Sequence, residues 1–512
     1  MTARFYVTTP IYYVNGAPHI GHAYTSIAAD VVARFHRLSG HDVFFLTGTD
    51  EHGQKVEQAA QAADVAPKEF VDAISANFRD MADAMAISYD DFIRTTEPRH
   101  IKSAQALWQK VADSGAIYLG AYEGWYALRD ECFYSEDELV AGPDGTKRAP
   151  TGAPVEWVKE PSYFFRLSDY QDKLLELYET HPEFLGPNSA NRELVSFVKQ
   201  GLRDLSVSRT SFKWGIPVPG DDAHVMYVWF DALANYLSAL DYPNTDAPRA
   251  AFWPANLHLV GKDIARFHAV YWPAFLMAAG LEVPRKVFAN GWWTVEGEKM
   301  SKSLGNVIDP RDLVQEFGLD AVRFFLLREV PFGGDSDLSR KSLIMRNNVE
   351  LANDLGNLCQ RTLSLVARNC DGIIPERREL TEEDSKLLGQ VAVLPNLMAS
   401  QIERCALTDA LEDVWKVIRA GNAYIDHQAP WALRKTDVER MKDVLRVLLD
   451  TLRGIATVLQ PFMPQSMDRM LTQLGVEAAE RSFAALDVIL PAGRTLPAPQ
   501  GIFPRYVEQA PE

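Results

Sequence analysis

The chain has 512 residues, of which 47% are apolar and 24% charged, and its formal net charge is −17. This composition is typical of a folded protein and unlike that of a disordered one. At roughly 100–200 residues per domain, the length predicts three or four structural units. The acidic balance argues against a protein that coats nucleic acid non-specifically, because phosphate binding needs clustered Lys and Arg. It does not exclude a structured RNA bound on one face.

The N-terminus and the lengths of the apolar runs indicate in which cellular compartment the protein is expected. Residues 1–10 lack a basic start followed by an apolar core, so no secretory signal is predicted. No apolar run approaches the roughly 20 residues that a membrane span needs. We therefore expect a cytoplasmic protein without a membrane segment. The cysteines form no C-x-x-C pair, so reduced thiols are expected rather than a structural zinc site. They are Cys132, Cys359, Cys370 and Cys405.

The N-terminal part alternates between strand and helix patterns. Residues 4–8 are aromatic and β-branched and predict a strand, whereas apolar residues at helical spacing predict a helix over 21–38. The apolar run 42–47 predicts a buried parallel strand. Two further helices are predicted over 54–63 and 67–85. This order predicts an α/β fold with a parallel sheet.

The middle of the chain interrupts the alternation. From about 117 to 219 the sequence is rich in Gly, Pro, Trp and Tyr, and it predicts an insertion with its own sheet. Apolar runs at 257–260 and 286–289 then predict a return to the α/β pattern.

The C-terminal part has amphipathic stretches that predict a helical bundle. These stretches are 342–367, 384–405, 408–426 and 438–460. The Pro-rich residues 491–512 predict an extended tail.

The first motif that indicates chemistry is His19-Ile20-Gly21-His22, between the first strand and the first helix. Doubly wound sheets bind ligands at the carboxyl ends of their strands, and a helix N-terminus there favours a phosphate. The two histidines could donate hydrogen bonds to phosphate oxygens, and Gly21 leaves room for a nucleotide. Taken alone, the motif fits two surface histidines at a helix cap at least as well.

The second motif is Lys299-Met300-Ser301-Lys302-Ser303. Two lysines on a loop of small residues form a mobile cationic clamp, which would stabilise charge on a departing pyrophosphate. The alternative for this motif by itself is a solvated basic turn.

Together the two motifs resemble, letter for letter and in the same order, the HIGH and KMSKS signatures of class I aminoacyl-tRNA synthetases. The resemblance implies an α/β Rossmann-like catalytic domain with a connective insertion, followed by an all-α anticodon-binding bundle. It assigns the catalytic domain to 1–116 and 225–338, with a connective insertion for the acceptor-stem region at 117–224. The anticodon-binding domain follows at 339–490 and the tail at 491–512.

Further stretches are similar to the methionine-specific branch of this family. They are residues 10–16, 49–53, 227–232, 261–264 and 267–273. The resemblance implies ATP-dependent activation of L-methionine to methionyl-adenylate with release of pyrophosphate. Transfer to the 3′-terminal adenosine of methionine tRNA, both initiator and elongator, would follow. ATP would act with Mg²⁺.

The same similarity implies a pocket whose aromatic edges suit the polarizable thioether of methionine. Its residues would be Ile11, Tyr13, Asp50, Trp229, Ala232, Tyr236, Phe267, His268 and Trp272. Asp50 would pair with the α-ammonium group, and Arg209 would lie behind Asp50 and hold its carboxylate. For any single aromatic residue, ordinary core packing is the alternative.

The resemblance also implies the nucleotide site. ATP would contact His19, Gly21, His22, Gly261, Asp263, Lys299, Ser301 and Lys302. The two histidines and the two lysines would be catalytic, and Asp263 would accept hydrogen bonds from the ribose hydroxyls.

The helical part carries Ala429-Pro430-Trp431, which resembles the anticodon-reading element of the family. Asn357 and Arg361 would lie one helical turn apart on a facing helix. An aromatic side chain can stack on an unpaired base while amide and guanidinium groups read its edge. The alternative is that Trp431 is a core residue of the bundle.

The chain departs from many relatives in the insertion, where zinc knuckles are built from C-x-x-C pairs. Residues 125–132 keep only Cys132. We therefore expect no bound metal in the protein itself and no zinc. No appended dimerising domain follows the bundle, so a monomer is expected.

Three other functions remain open from the sequence. The chain could be a synthetase for another amino acid, although the insertion is too short for a large editing domain. It could be a non-catalytic tRNA-binding paralogue, although neither signature has lost a residue. It could be a nucleotidyltransferase of related fold, although the long helical part argues against this.

Overall fold

The fold is described from a computed structural model, which covers residues 3–130, 132–142, 145–300 and 306–508. The strands are β1 (Arg4–Tyr13), β2 (Asp42–Asp50), β3 (Asp91–Arg94), β4 (Ile117–Ala127), β5 (Cys132–Tyr134), β6 (Val140–Ala141), β7 (Lys147–Arg148), β8 (Glu156–Phe165), β9 (Leu185–Gly186), β10 (Leu205–Ser206), β11 (Ser208–Arg209), β12 (Pro217–Val218), β13 (Asp221–Met226), β14 (Leu257–Gly261), β15 (Val287–Asn290), β16 (Trp293–Val295), β17 (Glu298–Lys299) and β18 (Ser336–Leu338).

The helices of the α/β part and the insertion are α1 (Ile20–Leu38), α2 (Gln54–Ala62), α3 (Pro67–Ala84), α4 (Pro98–Asp113), α5 (Gln171–Thr180), α6 (Asn188–Lys199), α7 (Val228–Leu233), α8 (Asn235–Ser238), α9 (Trp272–Ala278), α10 (Pro310–Phe317) and α11 (Leu319–Arg328). Those of the C-terminal part are α12 (Arg340–Arg346), α13 (Asn357–Asn369), α14 (Glu382–Ala392), α15 (Leu394–Glu403), α16 (Leu407–Gln428), α17 (Pro430–Thr436), α18 (Val438–Leu459) and α19 (Pro464–Gln473). Phe267–Tyr271 and Asn347–Gly356 are π-helical.

The central sheet has the strand order β3-β2-β1-β14-β15-β9, and every neighbouring pair is parallel. The predicted α/β class with a parallel sheet is therefore confirmed. From β1 the chain builds the sheet outward through β2 and β3, whereas β14 and β15 extend it in the other direction. The order reverses between β1 and β14, which is the place where open α/β sheets bind ligands.

The segment between the two halves contains its own antiparallel sheet, in the order β10-β8-β4-β5. Its two long strands, β4 and β8, pair from Ile117 opposite Phe165 to Tyr126 opposite Glu156. The same segment also returns to the central sheet, since β9 pairs with β15. This strand has only two residues, too few for a hydrophobic pattern to indicate it. The proposed domain boundaries stay predictions.

The C-terminal part is helical, as the amphipathic patterns predict. The amphipathic stretch 384–405 forms two helices, α14 and α15, with a break at Val393. Pro395 lies in the first turn of α15, where its missing N–H costs no hydrogen bond. The amphipathic stretch 342–367 lies in α12, α13 and the π-helical segment between them.

The two parts of the molecule share buried contacts. Arg323 on α11 is fully buried and donates to the Asp30 carboxylate on α1 at 2.6 Å. It also donates to the carbonyls of Pro461 and Phe462 beyond α18, at 2.9 and 3.0 Å. Residues 491–508 form no helix and pack back on the chain, where Thr495 bridges to Ile373. Among the described residues, no helix combines the length and apolar character needed to cross a membrane.

Candidate active site

A small cavity lies at the reversal point of the sheet, at the carboxyl ends of β1 and β2. It is lined by Pro10, Ile11, Asp50, Trp229, Ala232, Leu233, Asn235, Tyr236 and His268. Most of these are predicted methionine-binding residues. The sequence reasoning missed Pro10, Leu233 and Asn235. The last two lie in the same helical run as Ala232 and Tyr236, so the run itself was the signal for them.

Three predicted pocket residues lie outside this lining. Phe267 stacks on the indole of Trp229, with ring centroids 3.8 Å apart and an interplanar angle of 5°. Trp272 is fully buried and packs against Tyr236 at 6.0 Å between centroids. Tyr13 ends β1, with the Lys55 ammonium 5.1 Å from the centre of its ring. Phe267 and Trp272 therefore support residues of the cavity wall.

The polar atoms of His268 are both engaged. Its Nδ1 lies 2.9 Å from the carbonyl of Ile264, which can only accept, so Nδ1 carries the proton. Nε2 then accepts from the Tyr236 hydroxyl at 2.7 Å. Burial lowers the pKa of His268 to about 4, so the ring is neutral at physiological pH. The cavity therefore has an uncharged aromatic wall, which suits an apolar thioether.

Asp50 brings a carboxyl group to the lining of this cavity. It is the last residue of β2, is 6% exposed, and lies opposite Tyr13 of β1. Its backbone carbonyl accepts from the N–H of Val14 at 3.2 Å. A carboxylate in this position can bind a cationic group of a ligand whose apolar part fills the cavity.

Arg209 is buried beside the antiparallel sheet. It donates to the Ser208 carbonyl at 2.7 Å, and its guanidinium lies 4.6 Å from the ring centre of Phe133 and 4.8 Å from that of Tyr227. These contacts join the insertion to Tyr227, the residue before α7. The proposed support of Asp50 by Arg209 stays a prediction.

The HIGH residues form the N-terminal cap of α1. His19 Nδ1 accepts from the N–H of Gly21 at 3.1 Å, and His22 Nδ1 accepts from the N–H of His19 at 3.1 Å. The two rings lie 3.8 Å apart. Burial lowers the pKa of His22 well below its usual value, with a further contribution from His19. Because each neutral ring accepts at Nδ1, its proton is on Nε2, and that nitrogen is a donor.

Gly21 and Gly261 each lie where a side chain would disturb a neighbour. A Cβ at Gly21 would come within 3.0 Å of the His19 ring. A Cβ at Gly261 would come within 2.5 Å of the Asp263 carboxylate, which is exposed just beyond β14. That carboxylate accepts from the indole N–H of Trp292 at 3.3 Å. Both glycines therefore keep open the approach to the reversal point.

Part of the KMSKS loop can be located. β17 ends at Lys299 and pairs with β16, with Lys299 opposite Thr294. Ser301 and Lys302 lie outside the described residues, so their predicted roles stay predictions. The backbone nevertheless places the start of this loop next to the strand that follows Trp292.

The proposed anticodon residues meet at the surface of the bundle. Arg361 lies one turn after Asn357 on α13, and its guanidinium is 5.3 Å from the ring centre of Trp431. Arg361 also donates to Asp426 at 2.6 Å. Trp431 is 41% exposed, which excludes the alternative that it is a core residue. Pro430, at the start of α17, fixes the backbone before the indole.

The knuckle of the insertion is held by side-chain contacts. Ser135 and Glu138 form a capping box, and Arg129 donates to the Thr151 carbonyl at 2.6 Å. Burial raises the pKa of the Cys132 thiol to about 11. Within the described ranges, no three His, Cys, Asp or Glu side chains cluster as metal ligands.

Comparison with known protein families agrees with the geometry. The family model of class I tRNA synthetases (M) matches residues 5–363, and that of the anticodon binding domain of methionyl tRNA ligase matches residues 374–511. A methionine–tRNA ligase from Rickettsia bellii is 55% identical over 99% of this chain and 100% of that protein. One from Mesorhizobium japonicum is 53% identical over 99% of this chain and 98% of that protein.

Solved structures agree as well. Mycobacterium tuberculosis methionyl-tRNA synthetase in complex with methionyl-adenylate matches with a TM-score of 0.96 and 49% identity, over 98% of this chain and 100% of that one. Its apo form matches with a TM-score of 0.90 and 45% identity, over 99% of each chain. The predicted family and the predicted Rossmann-like domain with a helical anticodon domain are confirmed. The chain belongs to the methionine–tRNA ligase family of class I aminoacyl-tRNA synthetases.

Proposed function

We propose that this chain carries out the reaction of its family at the reversal point of the central sheet, with methionine in the cavity beside Asp50. That reaction is the ATP-dependent activation of L-methionine to methionyl-adenylate, followed by transfer of the methionyl group to tRNA. The observation that carries the proposal is one cavity lined by both an acidic residue and a neutral aromatic wall. Such a cavity matches a free amino acid with an apolar side chain.

Methionine would bind through both ends. The Asp50 carboxylate would pair with the α-ammonium group, and Arg209 would favour the charged form of that carboxylate from behind. The thioether would lie against Trp229, Ala232 and Tyr236, with His268 presenting a neutral ring. Because the His268 and Tyr236 polar atoms hydrogen-bond to protein groups, these two side chains offer little to a competing hydrophilic side chain.

ATP would lie across the N-terminus of α1. The Nε2 donors of His19 and His22 would bind phosphate oxygens, and Asp263 would accept from the ribose hydroxyls. A methionine carboxylate oxygen would then attack the α-phosphorus, and the bond from that phosphorus to the pyrophosphate oxygen would break. Lys299, Ser301 and Lys302 would stabilise the charge that develops on the departing pyrophosphate.

In the second step the terminal adenosine of the tRNA would attack the methionyl carbonyl, and AMP would leave. Asn357, Arg361, Pro430 and Trp431 would recognise the anticodon of both initiator and elongator methionine tRNAs. We further propose that Mg²⁺ arrives with ATP rather than in a site built by the protein, that zinc is not required, and that the chain acts as a cytoplasmic monomer.

The test is amino-acid-dependent exchange of pyrophosphate into ATP, measured with methionine, leucine, isoleucine, valine and cysteine. We expect exchange with methionine and little with the others. Exchange driven best by another amino acid would make the chain a synthetase of different specificity. Exchange without any amino acid would indicate a nucleotidyltransferase, and tRNA binding without exchange would indicate a non-catalytic paralogue. Asp50→Asn should abolish most of the methionine-dependent rate and leave ATP binding intact.

A further inference from the structure

Behind the cavity, the carboxylate of Asp231 receives two histidines at once. His52 Nδ1 lies 2.7 Å from Asp231 Oδ2, and His100 Nε2 lies 2.7 Å from Asp231 Oδ1. The Asp231 and His100 side chains are fully buried, and that of His52 is 7% exposed. Burying a carboxylate costs free energy unless its oxygens keep their hydrogen-bond partners. The three side chains therefore form one fixed unit.

The Asp231 carboxylate determines which nitrogens of His52 and His100 carry protons. Burial raises the pKa of the Asp231 carboxyl, but its contacts with His52 and His100 outweigh burial and hold that pKa at about 2. Asp231 is therefore a carboxylate at neutral pH and can only accept. Each facing nitrogen must carry a proton, which is Nδ1–H on His52 and Nε2–H on His100. His100 Nδ1 also lies 3.1 Å from the hydroxyl of Ser238.

The unit connects the two sides of the methionine cavity. His52 is two residues after Asp50, on the loop that leaves β2. Asp231 lies on α7 between Trp229 and Ala232, which line the cavity together with Asp50. His100 links Asp231 to α4, and the contact of His100 with Ser238 extends this link to the end of α8.

The loop after Asp50 has a second anchor, which is formed by Glu51. The Glu51 carboxylate accepts from Arg94 Nε at 2.6 Å and Nη2 at 3.0 Å, and the Glu51 backbone carbonyl accepts from the Trp214 indole at 2.6 Å. These contacts fix the loop relative to β3 and the insertion. The contact of His52 with Asp231 joins this loop to α7.

We propose that Asp231 is a positioning residue for methionine, which sets the distance between the Asp50 carboxylate and the Trp229–Ala232 wall through His52, with His100 holding the other oxygen. The inference rests on the proposed function, since it assumes that methionine spans this cavity. Asp231 would not contact methionine or ATP. Its effect would be on the fit of the amino acid and not on the nucleotide site.

The test compares wild type with Asp231→Asn in methionine-dependent pyrophosphate exchange. An amide can accept from one histidine, but its NH₂ group faces the other ring. We expect the KM for methionine to rise on the order of 10–100-fold, because a misplacement of binding groups by about 1 Å can cost up to roughly 100-fold. The KM for ATP should change less than about twofold. A purely structural role would lower the active fraction and leave both KM values unchanged.

A matched control is Asp384→Asn in the bundle. Asp384 is a buried carboxylate that accepts from Arg440 at 2.6 Å and also from Tyr424. Its substitution by Asn therefore disturbs a comparable hydrogen-bond network, in the bundle instead of at the cavity. It should lower the melting temperature without changing the KM for methionine. If Asp231→Asn does not fold, His52→Gln decides, because it removes one contact and leaves His100 with Asp231; a smaller rise in the methionine KM is expected.

An unchanged methionine KM in a folded Asp231→Asn or His52→Gln variant overturns the inference, as does an equal rise in the KM for ATP. These outcomes differ from failure of the proposed function. If the function itself is wrong, the wild type lacks methionine-dependent exchange, and the variants are not needed to show it.

Discussion

The cavity beside Asp50 and the proposed anticodon surface each contain a tryptophan, but the two residues are held differently. Trp229 is half-buried, stacked on Phe267, in a wall whose polar neighbours are hydrogen-bonded to one another. Trp431 is 41% exposed at the start of α17, where Pro430 and the Arg361 guanidinium hold it. One ring belongs to the core of the catalytic region and the other to the surface of the bundle.

This difference predicts which substitutions should affect each function. Buried polar groups must keep all their partners, so a change near the cavity affects distant pocket residues through the network. An exposed ring held by local helix geometry can be removed without disturbing the fold. Activation should therefore depend on many residues behind the cavity, and tRNA recognition on a few at the surface. The following predictions are ordered from the largest effect to the smallest.

The largest effect is expected at the catalytic region, from Lys302→Ala. The lysine charge is proposed to act in the transition state. The activation free energy of pyrophosphate exchange should therefore rise by roughly 3–4 kcal/mol, which slows the reaction, with little change in the KM for methionine. Lys341→Ala, an exposed lysine on α12, serves as control and should exchange normally. Near wild-type methionine activation by Lys302→Ala would refute the clamp.

The comparison predicts a selective effect at the anticodon surface. Trp431→Ala should weaken aminoacylation through tRNA recognition by roughly 1–3 kcal/mol, the value of base–aromatic stacking, and leave pyrophosphate exchange and the melting temperature almost unchanged. Leu397→Ala removes an apolar side chain of equal exposure, 41%, from α15 and should affect neither reaction.

Measuring both reactions and the melting curve on the Trp431→Ala protein decides the matter. Equal loss of exchange and charging would show that the two regions are not separate. A folded variant that charges tRNA normally would remove Trp431 from the anticodon site.

The catalytic region should also be the acid-sensitive one. Burial lowers the pKa of His268 to about 4 and that of His36 to about 3, with His41 adding to the shift of His36. Both stay neutral in the folded chain where the unfolded chain takes up protons, below about pH 6.5. The unfolded state then binds more protons, so the free energy of unfolding should fall as pH drops from about 6.5 toward 4.

Urea unfolding at several pH values measures this slope. His36→Asn, remote from the cavity and stacked on Phe5, should flatten it, because one proton-binding difference is lost. His427→Asn in the bundle is the matched control, since that side chain is 71% exposed, and it should leave the slope unchanged. Identical slopes in wild type and His36→Asn would contradict the assignment.

The smallest effect is expected from metal removal. The knuckle is held by Ser135, Glu138 and Arg129 rather than by paired thiolates, so a zinc chelator should not change the melting temperature. Pyrophosphate exchange should return fully once Mg²⁺ is restored with ATP. Stoichiometric zinc in elemental analysis of the purified protein would overturn the prediction.

The sequence by itself predicted the catalytic fold from local strand and helix signals, and the resemblance to the family indicated much of the cavity. The alternation of strands and helices indicated the parallel sheet. The letter-for-letter signatures with the methionine-branch stretches indicated Asp50, Trp229, Ala232, Tyr236 and His268, which the structure brings to one cavity. The resemblance to the family indicated these residues, since Asp50 and Trp229 are too far apart in the chain for spacing to place them together.

Only the tertiary structure decided the rest, because it depends on residues far apart in the chain. The pairing of Asp231 with His52 and His100 joins positions separated by 179 and 131 residues. No periodicity marks a two-residue strand such as β9, or the π-helical turn that carries His268. The exposure of Trp431 was open as well, since an amphipathic pattern allows an indole at the edge of a helix either inside or outside. Which one occurs is set by how α13 and α17 pack, through contacts that the chain makes only when it is folded.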